Sequence, residues 1–519
     1  MKRKMIAKML CIAVFIGISA LALTGCKKDR NSNISNYAND TAENASLDKF
    51  NTADTKFAAL IGTIEGDVVL ERLPDIEMSY TNNISDGIQQ VMNGVVDGYV
   101  LDKPIAEYAV IETGGIMIYP DEFENNKTAF ACKKDAEGLA LSNKISEYII
   151  KIKENGRLEE MRNKWFSLDE DKKVVSIPKD SGSGTINFAV NCSIVPFTYI
   201  KEEKPVGLDI EIMSEFCREN GYGLNIVNLD FSGIIAGISS GKYDVGGSCI
   251  TVTEERMESM YFTEPYYDGG IVLILKSEKE KSGESFISSV KSSFSKTFIR
   301  ESRWKMVVRG IRMTLFVSVF AIIIGTALGF IICMLRMMEK RVINAIVSVF
   351  VRIVQGTPII VLLLILFYIV FANTGFDGKW VSIFTLAINM SVYVSEMMKK
   401  GIESVDRGQN EAALALGYTK SQAFFKIVFP QAARNFMPVY RGQVLSLIQT
   451  SSIVGYIGVE DLTRISDLIR ARTYEAFFPI IATAVIYFII CGIFTLILMK
   501  IQKIFEPDRR KRTVKGVKL

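Results

Sequence analysis

The sequence predicts two kinds of structure in series: a bilobed α/β domain, and after it an all-α membrane domain of five transmembrane helices. Three observations predict this. Apolar runs long enough to cross a bilayer are confined to residues 301–506, apart from one at the N-terminus. Two stretches before them, 56–169 and 185–275, each carry a strand–helix–strand pattern. A polar helical segment separates the third and fourth apolar runs. At 519 residues the chain is too long for one ordinary domain.

In chain order, residues 1–25 read as a targeting signal. Lys2, Arg3, Lys4 and Lys8 precede an apolar run that ends in Leu23-Thr24-Gly25-Cys26, the form of a bacterial lipobox. Cleavage there would leave Cys26 as the acylated first residue of a lipoprotein; the alternative is an uncleaved anchor helix. Either route places the α/β stretches outside the cytoplasm. Residues 26–55 read as a polar tether. Polar linkers at 170–184 and 276–300 bracket the second α/β stretch, and 507–519 form a basic tail.

The α/β stretches repeat one unit. Ser85 starts a helix with Ile88, Val91 and Met92 on one face, Gly94 stops it, and a strand follows Asp97. Ser232 starts another with Ile235 and Ile238, Gly241 stops it, and a strand follows Asp244. Serine at the start and glycine at the stop are ordinary helix punctuation. Two such units imply two lobes with a cleft between them, at the carboxyl ends of the strands.

The spans run roughly 313–335, 353–372, 380–397, 443–459 and 476–499. Arg303, Trp304 and Lys305 with Met306 to Val308 read as a separate short amphipathic helix at the outer interface, anchored by Trp304. The fourth span is broken by Ser446, Gln449, Thr450, Ser451 and Ser452, a polar density expected to face a water-filled path, with Gln449, Thr450 and Ser451 lining it. Basic residues fix the orientation. Arg336, Lys340 and Arg341 after the first span, Lys399, Lys400, Arg407, Lys420 and Lys426 around the polar segment, and the tail all belong inside.

Composition removes several functions. The chain has no His, which excludes His-based triads and most zinc or iron sites. No G-x4-GK[ST] phosphate loop is present, so the energy of any ATP-driven process must come from a partner subunit. No motif supports an enzyme, a metal site, a resident cofactor or a nucleic-acid partner. Of eight cysteines, Cys132, Cys192, Cys217 and Cys249 lie in the external part, with no metal-binding spacing.

The polar segment EAALALGYTKSQAFFKIVFP, Glu411 to Pro430, resembles the coupling loop of ABC importer permeases, on which the ATPase docks. Glu411, Ala412, Ala413, Gly417, Ile427 and Pro430 match the pattern EAA-x3-G-x9-I-x-L-P, and Phe429 stands where the family has Leu. The stretches VRIVQGTPIIVLL and TSSIVGYIGVEDL look like polar amino-acid permeases of the type I kind. Upstream, VPFTYIKEEKPVGLDIEIMSEFC, LDFSGIIAGISSGKYDVGGSCITVTEER and FTEPYY look like the first lobe of polar amino-acid binding proteins. LIGTIEGDVVLERLPDIEMSYTNNISDGIQQVMNGVVDGYVLDKP looks like their second lobe, and NGRLEEMRNKWF like their closing helix. The resemblance implies a type II periplasmic-binding-protein-like fold, circularly permuted, since second lobe and closing helix come first. Two degenerate copies are the alternative.

The resemblance also implies a site. A zwitterion needs a planar cation for its carboxylate and an acid for its ammonium. Arg256 matches the family's carboxylate-binding arginine, with Thr251 and the Cys249 carbonyl beside it, and Thr253 and Glu254 opening the next helix. Asp102 matches the acid that pairs the ammonium from the other lobe, Thr63 a second-lobe donor to the carboxylate, and Phe231 an aromatic wall of the glutamine-type proteins. Asn191 and Ile194 stand where the family tends to have an acid or an aromatic, so the side-chain pocket departs from the glutamine pattern.

The implied function is import of a polar, glutamine-like amino acid across a bacterial cell membrane by a receptor fused to its permease. The partners would be a separate ABC ATPase and a second permease copy, in a homodimer. A ligand-gated channel or an amino-acid sensor with a bilobed receptor is the competing plan. A channel would need a filter such as TVGYG, which is absent, and the tail is too short for a sensor's output domain.

Overall fold

The computed structural model describes residues 46–113, 115–167, 172–277, 286–338, 340–372, 374, 376–475 and 477–505. The signal segment, Cys26 and the basic tail lie outside the described residues.

The first α/β stretch runs β1 (Lys56–Leu60), α1 (Glu65–Arg72), β2 (Glu77–Thr81), α2 (Ile84–Met92), β3 (Gly98–Asp102), α3 (Lys103–Thr113), β4 (Ile116–Thr128), β5 (Ala131–Lys133), α4 (Ala136–Glu154) and α5 (Arg157–Phe166). The second runs β6 (Thr185–Val190), β7 (Ser193–Ile194), β8 (Thr198–Lys201), β9 (Lys204–Val206), α6 (Leu208–Glu219), β10 (Gly223–Asn228), α7 (Phe231–Ser239), β11 (Val245–Gly246), α8 (Glu254–Ser259), β12 (Met260–Phe262) and β13 (Tyr267–Lys276). They fold into two five-stranded sheets of matching order, β2-β1-β3-β13-β4 and β10-β6-β11-β5-β12. In each, the first three strands are parallel and the fourth is antiparallel to its neighbours.

The lobes are therefore not the two sequence stretches. β5 leaves the first stretch to join the sheet of the second, and β13 leaves the second to lie between β3 and β4. We call the β6–β12 sheet with β5, α4 and α5 the first lobe, and the β1–β4 sheet with β13 the second. Two crossings, 128–131 and 262–267, join them.

The internal repeat holds at side-chain level. Asp97 Oδ2 accepts from the Lys56 amide at 2.8 Å, and Asp244 Oδ2 from the Asn187 amide at 2.9 Å, each acid pinning the first strand of its own lobe. Gly94 (φ +67°) and Gly241 (φ +72°) end α2 and α7 in the left-handed conformation that glycine adopts without a Cβ penalty. The helix starts lie earlier than the sequence suggests. Asn83 caps α2 by accepting from the Asp86 amide, leaving Ser85 buried in the first turn, and α7 starts at Phe231 behind Asp230. A polar residue slightly further upstream of each apolar face precedes the first turn.

The tether is shorter than composition predicts. Leu47 and Phe50 are fully buried in the second lobe's core, and the Leu47 amide donates to Asp121 at 2.9 Å. Cys132, Cys192, Cys217 and Cys249 are each buried and unbridged.

After α9 (Phe286–Phe294) come α10 (Trp304–Met337), α11 (Arg341–Gly356), α12 (Ile359–Ile365), α13 (Gly378–Glu403), α14 (Arg407–Ala415), α15 (Lys420–Ala423), α16 (Phe429–Thr450), α17 (Leu462–Thr473) and α18 (Phe477–Phe505). Among the described residues, α10, α13 and α18 are long and apolar enough to cross a membrane, and α11 with α12 makes a fourth if the bent pair counts as one. That pair turns by 106°. Pro358 lacks an N–H and forces Thr357 into extended backbone (φ −102°, ψ 126°), which breaks the helix where the apolar run predicts a straight span. Residues 304–308 do not form the separate interfacial helix that the sequence predicts. Trp304 opens α10 itself, because nothing between Val308 and Met313 interrupts helical geometry. The fourth predicted span, 443–459, falls on the end of α16, which starts at Phe429, is not apolar enough to count among those helices, and gives way at Ser451 to a 3-10 turn ending at Ile457.

Candidate functional site

The cleft is built where β1, β3 and the loop before α8 meet. Asp102 ends β3, buried, and Cys249 faces it from the first lobe. The Cys249 thiol donates to Asp102 Oδ2 at 3.4 Å, and Asn126 Nδ2 donates to Asp102 Oδ1 at 2.8 Å. The same Asn126 amide reaches Thr251 Oγ1 at 3.1 Å, so one side chain of the second lobe links residues of both. Burial raises Asp102 above the usual carboxylate range, against these hydrogen bonds, and pushes the Cys249 thiol well up.

Arg256 lies in the first turn of α8, whose cap is Thr253: its Oγ1 accepts from the Arg256 amide at 3.2 Å. The guanidinium donates to the Thr251 carbonyl at 2.9 Å and, across the cleft, to the Gly62 carbonyl at 3.0 Å. Its face sits 5.7 Å from the centre of the Phe231 ring. Thr63, on the β1–α1 turn, donates its hydroxyl to the Leu60 carbonyl at 2.7 Å. Arg256, Thr251, Cys249, Asp102, Thr63 and Phe231 thus line one cavity between the lobes, about 20 Å³ in volume. Asn191 is not among its lining residues. Its carbonyl accepts from Thr198 and its side-chain oxygen accepts from the Ser193 amide at 3.1 Å, closing its own turn.

Two residues of this site carry no local signal in the sequence. Glu65, in the first turn of α1, is buried in the same cavity, and burial followed by the charge of Asp102 raises it to about 8. An acid in a first turn ordinarily serves the helix dipole, so its role is visible only once α1 is folded against β3. Asn126 sits in the polar run DEFENNK of β4, which reads as surface. Glu65 Oε2 and Asn126 Oδ1 are both buried and lack a hydrogen-bond donor. Buried acceptors without donors are costly, and a group with several N–H donors would satisfy them.

The segment in which the sequence suggests a coupling loop is a helix–turn–helix. Gly417 (φ +87°) ends α14, with open space where a Cβ would stand, and Thr419 caps α15 in a reciprocal capping box with Gln422. Ala413 packs inward, while Glu411, Ala412 and Leu416 face out, the last 80% exposed. Ile427 lies in a π-helical turn that runs directly into α16, of which Pro430 is the second residue. Gln449, Thr450 and Ser451 stand together at the far end of α16; Ser451 is buried and accepts from Ser318 of α10 at 3.3 Å.

The two lobes rest on that far end. Helix α13 gives the sense: Gly378 lies beside Ile457, whereas Ser404, just past its other end, accepts from Asn435 near the coupling segment. The lobes contact Phe367, Tyr368, Gly458 and α17, all on the Gly378 side.

Residues 306–511 match the family model described as "Binding-protein-dependent transport system inner membrane component". A putative glutamine transport system permease protein, GlnP, of Rickettsia felis is 31% identical over 202 residues, 38% of this chain and 91% of the relative. The arginine transport system permease protein ArtQ of Bacillus subtilis is 31% identical over 193 residues, 37% of this chain and 88% of ArtQ. The L-cystine transport system permease protein TcyB of Bacillus subtilis is 32% identical over 207 residues, 40% of this chain and 88% of TcyB. The chain belongs to the family of binding-protein-dependent transport system inner membrane components.

Proposed function

We propose that this chain is an amino-acid ABC importer subunit that carries its own receptor. The carrying observation is a cleft in which a guanidinium from one lobe, Arg256, faces two carboxyl groups from the other, Asp102 and Glu65, together with orphaned acceptors. An α-amino acid supplies what each needs: a carboxylate for Arg256 and an ammonium for the acids. The names of the relatives, which cover glutamine, arginine and cystine transport, support an amino acid as cargo. Glutamine-like ligands are the starting candidates.

The receptor is one permuted binding domain rather than two degenerate copies, a reading supported by the exchange of β5 and β13 between the sheets. It lies outside the cell, with Cys26 as a lipid anchor, and the coupling segment and C-terminal tail lie inside. Five spans, counting α11 with α12 as one and α16 as the fourth, are half of a translocation unit, so two copies assemble. A separate ATPase docks on Glu411 to Pro430, with exposed Leu416 at the contact, and drives the pore around Gln449, Thr450 and Ser451. The subunit itself performs no chemistry on its cargo. A channel or sensor would have no use for the coupling helices.

Titrating the full chain in lipid nanodiscs with each of the twenty amino acids by calorimetry tests this. Binding of one or a few polar amino acids, lost in Arg256→Ala, is the expected result. Failure of all twenty to bind overturns the proposal.

A further inference from the structure

A second cavity, about 430 Å³, lies between the cleft and the membrane helices. Four apolar side chains, Leu60, Ile84, Ile194 and Phe231, line both it and the cleft, so they form a common wall. Beyond the wall the lining turns polar and comes from four sources: the second lobe (Asp86), the first lobe (Asp230), the turn after α16 (Ser452) and α17 (Arg464, Arg470). Ser452 directly follows Gln449, Thr450 and Ser451. The cavity is thus the space through which anything leaving the cleft mouth would reach the membrane helices.

Its rim is held by one helix. Arg464 of α17 is buried and pairs with Asp230 of the first lobe, adding bonds to the Leu229 carbonyl at 2.8 Å and to Asn228 Oδ1 at 3.2 Å. Arg470, buried on the same helix, pairs with Asp86 of the second lobe and with Asp467 at 3.0 Å. Each lobe therefore presents one carboxylate at the cleft mouth, and each meets an arginine of α17. A buried arginine whose partner is removed is an uncompensated charge, so these contacts hold the lobes in register with the pore.

We propose that this cavity is a transfer chamber for a zwitterionic amino acid, and that Arg464 and Arg470 are positioning residues that clamp one lobe each over it. The inference rests on the importer reading above. The apolar wall seals the chamber while the lobes are closed. When the lobes part on α17, the wall divides between Leu60 and Ile84 on one side and Ile194 and Phe231 on the other. The cargo then meets both signs of charge on the way to Ser452.

Charge reversal tests it in the full chain, with cells carrying the whole transport system and radiolabelled L-glutamine, L-arginine and L-cystine as probes. Arg464→Asp and Asp230→Arg should each lower uptake about tenfold or more, while affinity for the bound amino acid in nanodiscs stays within about twofold. The double reversal should recover most of the uptake, as coupled residues do. Asp86→Arg with Arg470→Asp should behave alike, and hydrogen exchange at 82–86 and 228–232 should rise in each single variant and fall again in the double. Uptake untouched by the single reversals, or doubles that recover neither uptake nor protection, overturns the chamber while leaving the importer reading in place. Absence of any amino-acid binding by the unaltered chain overturns both.

Discussion

Glu65 and Asp102 line the same small cavity between the lobes, and burial raises both. A carboxyl whose folded value lies above its unfolded one stabilises the fold fully below the unfolded value and loses that contribution as pH rises through the folded value. For Glu65 the window runs from 4.5 to about 8. An ammonium arriving between the two acids favours their ionised forms, so ligand binding near neutral pH should release protons. Affinity should therefore rise from pH 6 to pH 8. Calorimetry in two buffers of different ionisation enthalpy measures the release; Glu65→Gln should reduce it, and an unchanged release in that variant would place the proton elsewhere. That Arg256 and Asp102 would meet at one cavity was legible in the sequence, because each sits in a matched string. Glu65 and Asn126 were not, since their role depends on which strand each faces, and the Asn191 side chain was lost to its own turn.

Among the elements, the helix–turn–helix of α14 and α15 was the most legible, because a turn glycine and a capping box are local chemistry. Gly417 occupies left-handed backbone with empty space around it. A valine there meets no clash, but the conformation costs about 1–2 kcal/mol for a residue bearing a Cβ. Gly417→Val should thus shift the angle between α14 and α15, lower uptake strongly, and leave amino-acid binding unchanged in nanodiscs. Uptake at the normal rate would remove the docking role from this turn. The membrane helices were legible as apolar runs but not as shapes. The 106° bend at Thr357–Pro358 follows from one proline, whereas the continuous start of α10 at Trp304 follows from the absence of any breaker.

At the scale of the molecule, the repeat was visible in Gly94 with Asp97 and Gly241 with Asp244, yet the assignment of strands to lobes was not. Antiparallel pairing of β13 with β3 and of β5 with β11 is a long-range choice that no window of sequence encodes. It predicts that residues 172–277 alone cannot make a receptor. Without β5 their sheet lacks a strand between β11 and β12, and β13 has no sheet to enter. Residues 46–277 expressed together should bind the amino acid that the full chain binds, and 172–277 should bind none; binding by the shorter piece would argue for independent half-sites. The position of β13 has one more consequence. It lies between β3 and β4, and the chain that leaves it leads to α10. On the importer reading, a pore built from two copies therefore carries two receptors that can neither diffuse away nor be replaced by loaded copies from a free pool. Delivery would become a first-order event within one assembly, and its ceiling would be set by how fast those two clefts empty, refill and shut.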